Sequence, residues 1–155
     1  MSAKPTINIY TDGSSKGNPG PGGYGVILVS GPYQKELSQG YACTTNNRME
    51  LLAVIIGLER IKADGANVII TSDSKYVVDS VEKKWVLGWE KKGFKDKKNV
   101  DLWKRFLQVY RKHNVQFEWV KGHNNHPMNE RCDELAVKAA EGNDLLIDEG
   151  FNANR

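Results

Sequence analysis

The sequence has little cysteine and no long hydrophobic run. Its two cysteines, Cys43 and Cys132, are too few and too far apart to indicate a disulfide framework or a zinc site. No apolar stretch approaches the roughly 20 residues that a membrane-spanning helix needs. The first residues also lack the apolar segment of a signal peptide. We therefore expect a soluble cytoplasmic protein with reduced thiols and no association with a membrane.

The net charge is small but unevenly distributed. The 155 residues carry a formal charge of +3, yet residues 83–98 hold seven lysines against only Glu90 and Asp96. A basic block on a nearly neutral body indicates a polyanionic partner. Trp85 and Trp89 lie four residues apart in this block, and aromatic rings among lysines are typical of nucleic-acid-binding surfaces. We expect one of the two rings to belong to the core instead.

Hydrophobic periodicity predicts one α/β domain. Strands are predicted over residues 6–11, 24–29, 33–41, 67–72 and 115–120, with a turn-rich loop over 12–23. Helices are predicted from Asn46 or Asn47 to about 63, over 74–92 with a break near Gly88, from Asn99, and from Pro127 to about 141. This order predicts a mixed sheet with helices on both faces. We expect a single domain over residues 1–142 and a loose tail over 143–155.

Four acidic residues lie where burial makes a free carboxylate costly. Asp12 and Asp73 end predicted strands, at the sheet edge where α/β proteins bind ligands, and Glu50 and Asp133 lie among apolar neighbours on predicted helices. Four acids gathered without a matching cation indicate a site for divalent metal ions. Taken singly, each has an ordinary alternative. The two strand-end aspartates suit turns or helix caps, Glu50 suits a solvated helix position, and Asp133 suits a surface ion pair.

Several other polar residues suit contact with a nucleic acid. The segment TTNNR at residues 44–48 places hydrogen-bonding groups at a predicted helix start, where a phosphate can bind, although an elaborate helix cap is an equal alternative. Residues 12–23 lack the spacing of a nucleotide-binding loop, and we interpret them as an approach to a nucleic-acid backbone with Asn18 reaching a groove. His123 lies in a loop from which an imidazole can transfer protons near neutral pH, although a lone loop histidine is usually without function.

In combination, these segments resemble the type 1 ribonuclease H family, in its bacterial form, over about residues 5–142. The segments are YTDGS, TTNNRMEL, SDSKYV, KNVDLW and WVKGHNNHPMNERCDELA. The resemblance implies a ribonuclease H-like fold, with a five-stranded mixed sheet flanked by helices on both faces. It also implies an endonuclease that hydrolyses the RNA strand of RNA–DNA hybrids by two-metal-ion catalysis and leaves 5′-phosphate and 3′-hydroxyl ends. The implied cofactor is Mg²⁺, two ions per site, with Mn²⁺ as a possible substitute.

The resemblance also implies roles for individual residues. The metal ligands and catalytic carboxylates would be Asp12, Glu50, Asp73 and Asp133, with His123 as an auxiliary catalytic residue. Contacts to the hybrid would come from Asn18, Thr45, Asn46, Asn47, Lys75 and Asn99. Of these, Thr45 and Asn99 match a pocket that holds a phosphate of the DNA strand. A protruding basic handle would consist of Lys84, Trp85, Trp89, Lys91 and Lys92.

The chain departs from the family pattern at two positions near the substrate. Cys43 stands where an arginine often precedes the two threonines, which leaves one phosphate contact unaccounted for. Lys75 replaces a common glutamine, so the minor-groove contact there is expected to differ. Neither departure alters the four acids.

Two other functions stay open at this stage. One is a different metal nuclease of the same superfold that acts on DNA, such as a resolvase- or integrase-like enzyme; the TTNNRMEL segment and the basic handle argue against it. The other is a catalytically silent module that binds hybrids. All four acids are present, which argues against a silent module, since an anionic cluster near a polyanion is costly to keep. Nothing in the sequence requires an oligomer or an obligate protein partner, and we expect a monomer.

Overall fold

The computed structural model describes residues 6–122 and 126–153, which form one sheet and six helices. The strands are β1 (Thr6–Ser15), β2 (Gly20–Ser30), β3 (Tyr33–Thr44), β4 (Asn67–Ser72), β5 (Asn114–Trp119) and β6 (Leu145–Leu146). The helices are α1 (Asn46–Glu59), α2 (Lys75–Glu82), α3 (Trp85–Lys91), α4 (Val100–Tyr110), α5 (Pro127–Glu141) and α6 (Glu149–Ala153). None of the described helices is long and apolar enough to cross a membrane.

The six strands form a mixed sheet in the order β5-β4-β1-β2-β3-β6. Strands β1, β2 and β3 pair antiparallel as a meander, whereas β4 pairs parallel with both β1 and β5. The predicted five-stranded mixed sheet is therefore confirmed. The additional strand, β6, is two residues long and pairs parallel with β3 at the edge of the sheet.

Two neighbouring residues of β2 show that helices cover both faces of the sheet. A Cβ added at Gly57 of α1 would lie 3.3 Å from the side chain of Val26. A Cβ added at the adjacent Gly25 would project from the opposite face of the sheet, and it would clash with the carbonyl oxygen of Cys132 in α5. Because successive strand residues face opposite sides, α1 and α5 lie on opposite faces.

Glycines let α5 pack directly on the backbone of the sheet. Gly23 and Gly25 of β2 and Gly40 of β3 all face this helix, and a Cβ at Gly23 would lie 2.6 Å from the Ala136 carbonyl oxygen. The glycine-rich segment was predicted as a loop over residues 12–23, but β1 and β2 continue through most of it and pair Ser15 with Gly22. The turn is therefore confined to residues 16–19. The sequence pattern indicated turns because glycine is usually a strand breaker, whereas here it provides room for a helix.

The predicted helix over residues 74–92 is broken, but not at Gly88. The structure ends α2 at Glu82 and begins α3 at Trp85, with Lys84 in the left-handed region at a φ of 62°. A left-handed residue interrupts a right-handed helix more strongly than a glycine with helical dihedrals does. Helix α1 also ends four residues earlier than the predicted residue 63.

Residues 144–148, within the segment expected to be a loose tail, pack against the domain. Besides the pairing of β6 with β3, Asp148 is buried and forms an ion pair with Arg48 of α1, with 2.7 Å between Nε and Oδ2. The hydroxyl of Thr44 donates to the same carboxylate at 2.7 Å. Arg48 is only 2% exposed, and a buried guanidinium requires carboxylate partners. This requirement, which leaves no periodic signal in the sequence, explains why the segment is packed.

We predict that Asp148→Ala destabilises the protein by about 2–4 kcal/mol, because it removes one of the two carboxylates that neutralise a buried charge. Urea unfolding followed by circular dichroism measures this change. The matched control is Asp144→Ala, which alters an exposed side chain in the same segment and should shift stability by less than about 0.5 kcal/mol. Equal stability of the two variants would contradict the prediction.

Candidate active site

Three of the predicted carboxylates converge at the carboxyl ends of two parallel strands. Asp12 lies in β1, and Asp73 follows β4 directly; the register that pairs Tyr10 with Thr71 places the two acids side by side. Glu50 comes from the first turns of α1. One oxygen atom from each of the three carboxylates lies within 4.8 Å of the others.

Glycines allow this close approach. A Cβ at Gly13 of β1 would lie 2.5 Å from the backbone nitrogen of Glu50. Only a glycine at this position therefore lets the start of α1 come this near to β1. On the other side, a Cβ at Gly122 would lie 2.8 Å from Asp73 Oδ2. Two close backbone approaches therefore determine the positions of Glu50 and Asp73 relative to Asp12.

The cluster has no positive partner in the part of the chain that the structure describes. None of the ion pairs there involves Asp12, Glu50, Asp73 or Asp133. Glu50 Oε1 and Asp73 Oδ1 are buried without a hydrogen-bond partner among those residues. Buried polar oxygens normally have a partner, and such orphaned atoms require an explanation.

Burial and the charges of neighbouring carboxylates raise the pKa values of Asp12 and Glu50. Asp12 is 6% exposed, and desolvation, followed by the charge of Asp73 and by contact with Asp133, raises its pKa from 3.8 to about 8. The pKa of Glu50 is raised well above its ordinary value by burial first and then by the charges of Asp12 and Asp73. Asp133 on α5 also contributes to the raised pKa of Asp12, so the fourth predicted acid lies near Asp12.

This donor set fits a hard divalent cation. Every contributing group is a carboxylate oxygen, which is the ligand type that Mg²⁺ prefers, and two of the oxygens are buried and unpaired. A bound dication would also remove the repulsion that raises the pKa values of Asp12 and Glu50. The residues that could hold it are Asp12, Glu50 and Asp73, with Asp133 adjacent.

Two of the three histidines have structural contacts, and the third lies outside the described residues. His123, the predicted auxiliary residue, lies outside the described residues, and its role stays a prediction. His126 caps α5 by accepting from the Asn129 backbone N–H at 3.3 Å, and its ring lies against Tyr10. His113 accepts from the Ala66 backbone N–H at 3.1 Å. Both imidazole rings therefore have a structural role, because each accepts a hydrogen bond from a backbone N–H.

A cavity of about 530 Å³, here called the α1–α4 cavity, lies where the starts of these two helices come together. Of the residues predicted to contact the hybrid, it is lined by Asn18, Thr45, Asn47 and Asn99. Asn46 does not line it. Its side-chain oxygen accepts from the Ser15 backbone N–H at 2.7 Å, and its own N–H donates to Asn18 Oδ1 at 3.1 Å. Asn46 therefore connects β1, the turn and α1.

The side chain of Asn99 is held from two directions. Its Nδ2 donates to the Tyr76 hydroxyl at 3.1 Å, and its Oδ1 accepts from Arg48 at 3.4 Å. The same hydroxyl accepts from the indole N–H of Trp103 at 2.8 Å. These bonds fix the orientation of an amide that lines the α1–α4 cavity.

The basic handle contains one exposed and one packed tryptophan, as predicted. Trp85 is 47% exposed, whereas Trp89 is half-buried with its ring edge-on to Trp103 at 5.8 Å between centroids. Lys84, Lys91 and Lys92 are exposed around them. The surface therefore presents one aromatic ring and several ammonium groups, with Trp89 attaching the handle to the core.

Lys75, also predicted to contact the hybrid, lies next to the carboxylate cluster. Its Nζ sits 4.8 Å from the ring centre of Trp119, whose indole N–H donates to the Asp73 carbonyl oxygen at 3.1 Å. Trp119 was not predicted as a site residue, although its position at the end of the strand next to β4 is a signal for one. Lys97 and Lys98 were not predicted to line the cavity, because the lining depends on how their loop folds back.

Comparison with known proteins gives consistent matches over nearly the whole chain. The family model described as RNase H matches residues 4–141. The Ribonuclease H of Pseudoalteromonas atlantica is 54% identical over 150 residues, which cover 94% of this chain and 97% of the relative. The crystal structure of LC9-RNase H1, a type 1 RNase H with the type 2 active-site motif, has a TM-score of 0.82 at 34% identity and covers 99% of this chain and 82% of that one. LC11-RNase H1, solved in complex with an RNA/DNA hybrid, has a TM-score of 0.69 at 26% identity over 87% of this chain and 96% of that one.

We predict that Asp12→Asn stabilises the metal-free protein at pH 8. The folded protein holds the Asp12 proton up to about pH 8, whereas the unfolded chain releases it near 3.8, so wild-type stability falls as pH rises between these values. The amide carries no charge and should flatten this dependence. We expect the variant to gain about 1–3 kcal/mol at pH 8, or roughly 3–10 °C in Tm.

Thermal unfolding in EDTA at pH 5 and pH 8 measures this difference. The control is Asp64→Asn, which makes the same chemical change at an exposed acid outside the cluster and should keep the wild-type pH dependence. A pH dependence of Asp12→Asn as steep as that of the wild type would show that this carboxyl is not protonated in the folded state.

Proposed function

Because the chain belongs to the ribonuclease H family, we propose that it is an endonuclease that hydrolyses the RNA strand of RNA–DNA hybrids. The observation that carries the proposal is the cluster of Asp12, Glu50 and Asp73 with two buried and unpaired oxygens. The ribonuclease H-like fold is confirmed by the sheet and by the structural neighbours. The complex of LC11-RNase H1 with a hybrid supports the same substrate for this chain.

The carboxylates fit a magnesium site, and Mg²⁺ or Mn²⁺ is the proposed cofactor. When bound, two such ions would supply a nucleophilic water and stabilise the leaving oxygen of the phosphodiester. Asp12, Glu50, Asp73 and Asp133 would bind the ions and orient them against the scissile phosphate. His123 is proposed to carry a proton during product formation. The products would be a 5′-phosphate and a 3′-hydroxyl on the RNA.

The surfaces around the cluster are suited to two different strands. The asparagines near the start of α1 offer amide groups that can recognise 2′-hydroxyls, which only the RNA strand carries. The α1–α4 cavity and the basic handle are proposed to hold the DNA strand through its phosphates. Contacts of this kind read the backbone rather than the bases, so little sequence preference is expected.

The two alternatives from the sequence are less well supported. A nuclease acting on duplex DNA has no use for amides that recognise 2′-hydroxyls. A silent binding module would gain nothing from carboxylates that raise one another's pKa values beside a polyanion. The expectations of a monomer without an obligate partner and of a cytoplasmic location stay predictions.

We predict that the protein cleaves only the RNA of a hybrid, and only with a divalent metal. The assay compares an end-labelled hybrid with single-stranded RNA, duplex RNA and duplex DNA, each in Mg²⁺ or EDTA. Asp12→Asn and Glu50→Gln should each lose about a thousandfold or more in kcat/KM, because the metal-binding carboxylates act as a unit. Asp64→Asn serves as the control with unchanged activity.

A second readout separates metal binding from cleavage. Mg²⁺ should raise the Tm of the wild type and of Asp64→Asn but have little effect on Asp12→Asn, since only a ligand that binds the folded state stabilises it. Cleavage of duplex DNA, or hybrid cleavage by Asp12→Asn at the wild-type rate, would refute the proposed function.

A further inference from the structure

The side chain of Asn129, near the start of α5, is a buried amide with an unused donor. Asn129 is 4% exposed, and its Nδ2 has no hydrogen-bond partner among the described residues. The other buried side-chain atoms without a partner in that part of the chain are oxygens, namely Thr11 Oγ1, Glu50 Oε1 and Asp73 Oδ1. Buried polar groups are normally paired, and a buried N–H without an acceptor costs stability. The amide therefore requires an explanation, as the two carboxylate oxygens do.

Helix capping does not explain this side chain. The backbone N–H of Asn129 donates to His126 Nδ1 at 3.3 Å, so His126 rather than Asn129 supplies the cap. The His126 ring lies against Tyr10, with 5.7 Å between centroids. This contact connects the first turn of α5 to β1, the strand that carries Asp12. The start of the helix is thus held in place without the Asn129 amide.

Asn129 belongs to the face of α5 that lies on the sheet. The buried residues of this helix are Asn129, Cys132, Ala136 and Ala140, which recur every three or four positions. The last three are small and apolar, which suits a helix that packs directly on the glycines of β2 and β3. The first is an amide, and packing against the sheet alone does not favour a polar group at this position.

Helical spacing places Asn129 beside Asp133. Residues four apart are neighbours on one face of a helix, and side chains lean towards the helix N-terminus, so Asp133 leans towards the turn that contains Asn129. The same part of α5 lies against β1 and β2. Asp12 pairs in register with Gly25, and a Cβ at Gly25 would clash with the Cys132 carbonyl oxygen. Because Asp133 also contributes to the raised pKa of Asp12, the Asn129 amide is one helical turn from a carboxylate near the cluster.

An amide nitrogen supplies what an ionised carboxylate beside a metal ion lacks. A carboxylate accepts hydrogen bonds at both oxygens, and a cation occupies only part of this capacity. Groups that donate to the remaining positions orient the ligand and strengthen metal binding. Nδ2 can donate but not accept, so it suits a carboxylate ligand and not the metal ion itself. An ammonium in the same place would instead repel the cation.

We propose that Asn129 is a positioning residue of the metal site, with its Nδ2 donating to the Asp133 carboxylate when that carboxylate takes part in binding a divalent cation. The hydrogen bond would hold one carboxylate oxygen and leave the other for the cluster. Asn129 would act through Asp133 and would contact neither the cation nor the hybrid. This inference rests on the metal site of the proposed function, but it does not depend on which nucleic acid is the substrate.

Asn129→Leu tests the proposal, because leucine fills a similar volume without a donor. Isothermal titration calorimetry measures the Mg²⁺ affinity, and the rise of Tm with Mg²⁺ concentration checks it. We expect the affinity to fall by about tenfold to a hundredfold, the usual effect of losing a hydrogen-bond partner of a metal ligand. The matched control is Asn143→Leu, which makes the same change at an exposed asparagine and should bind Mg²⁺ like the wild type.

Stability without metal separates a positioning role from a structural one. In EDTA, Asn129→Leu should unfold at the wild-type Tm or above it, because an apolar side chain replaces a buried donor that has no acceptor. An asparagine that held the fold together would give the opposite result, a lower Tm. The Mg²⁺ concentration for half-maximal kcat should rise by the same factor as the Kd, whereas KM for the hybrid at saturating Mg²⁺ should not change.

A double-mutant cycle shows whether Asn129 acts through Asp133. Asp133→Asn should itself weaken Mg²⁺ binding, because it removes a carboxylate. In that background, adding Asn129→Leu should change the affinity by less than about twofold, since the interaction is already lost. A further loss of about tenfold would show that Asn129 acts on another group, and it would overturn the proposal.

The outcomes separate this inference from the proposed function. Mg²⁺ binding that depends on Asn129, in a protein that cleaves no hybrid, would support the inference and refute the function. Hybrid cleavage with equal Mg²⁺ affinity in the wild type and Asn129→Leu would refute the inference alone. A lower Tm of Asn129→Leu in EDTA would also refute it, because the residue would then be structural. A wild type that binds no Mg²⁺ would refute both.

Discussion

The repulsion among Asp12, Glu50 and Asp73 is the interaction on which the rest of this structure depends, because residues 6–122 and 126–153 provide these acids with no ion-pair partner. Three carboxylates with oxygens within 4.8 Å of one another are unfavourable when ionised, and burial increases the cost. The sheet and its helices must therefore supply the free energy that holds them there. They do so through the parallel pairing of β1 with β4 and through the close backbone approach at Gly13. The same arrangement of carboxylates supports the proposed site for a divalent cation.

A second buried charge, on Arg48, connects the α1–α4 cavity to the segment that contains Asp148. Arg48 neutralises Asp101 at the start of α4 and Asp148 in the last segment, while its backbone belongs to the first turn of α1. This single guanidinium therefore fixes three chain segments around the α1–α4 cavity. Because a buried ion pair contributes less to stability than its geometry suggests, its main effect here is to define which segments meet. A consequence is that the N–H groups of this arginine are used within the protein.

Much of the fold followed from local patterns. The strand over residues 67–72 and the helix from Pro127 to Glu141 were predicted with correct boundaries, because apolar runs and a proline at a helix start are local signals. The errors occurred where distant residues decide. Gly22 and Gly23 lie in a strand because α5 packs on that strand, and the segment around Asp148 packs against the domain because Arg48 needs this carboxylate. The break between α2 and α3 falls at Lys84 because of its left-handed backbone conformation, which lysine seldom adopts.

The sequence by itself determined the family resemblance, the α/β class and the identities of the acidic residues, because motif spacing and hydrophobic period are properties of neighbours along the chain. Only the tertiary structure decided that Asp12, Glu50 and Asp73 share one site, since their proximity depends on strand pairing and helix packing. It also decided that Trp85 rather than Trp89 is the exposed ring and that Arg48 is bound to carboxylates of the protein itself. A side chain's burial and its hydrogen-bond partners set whether its charge is available to a substrate, and both depend on residues far away in sequence.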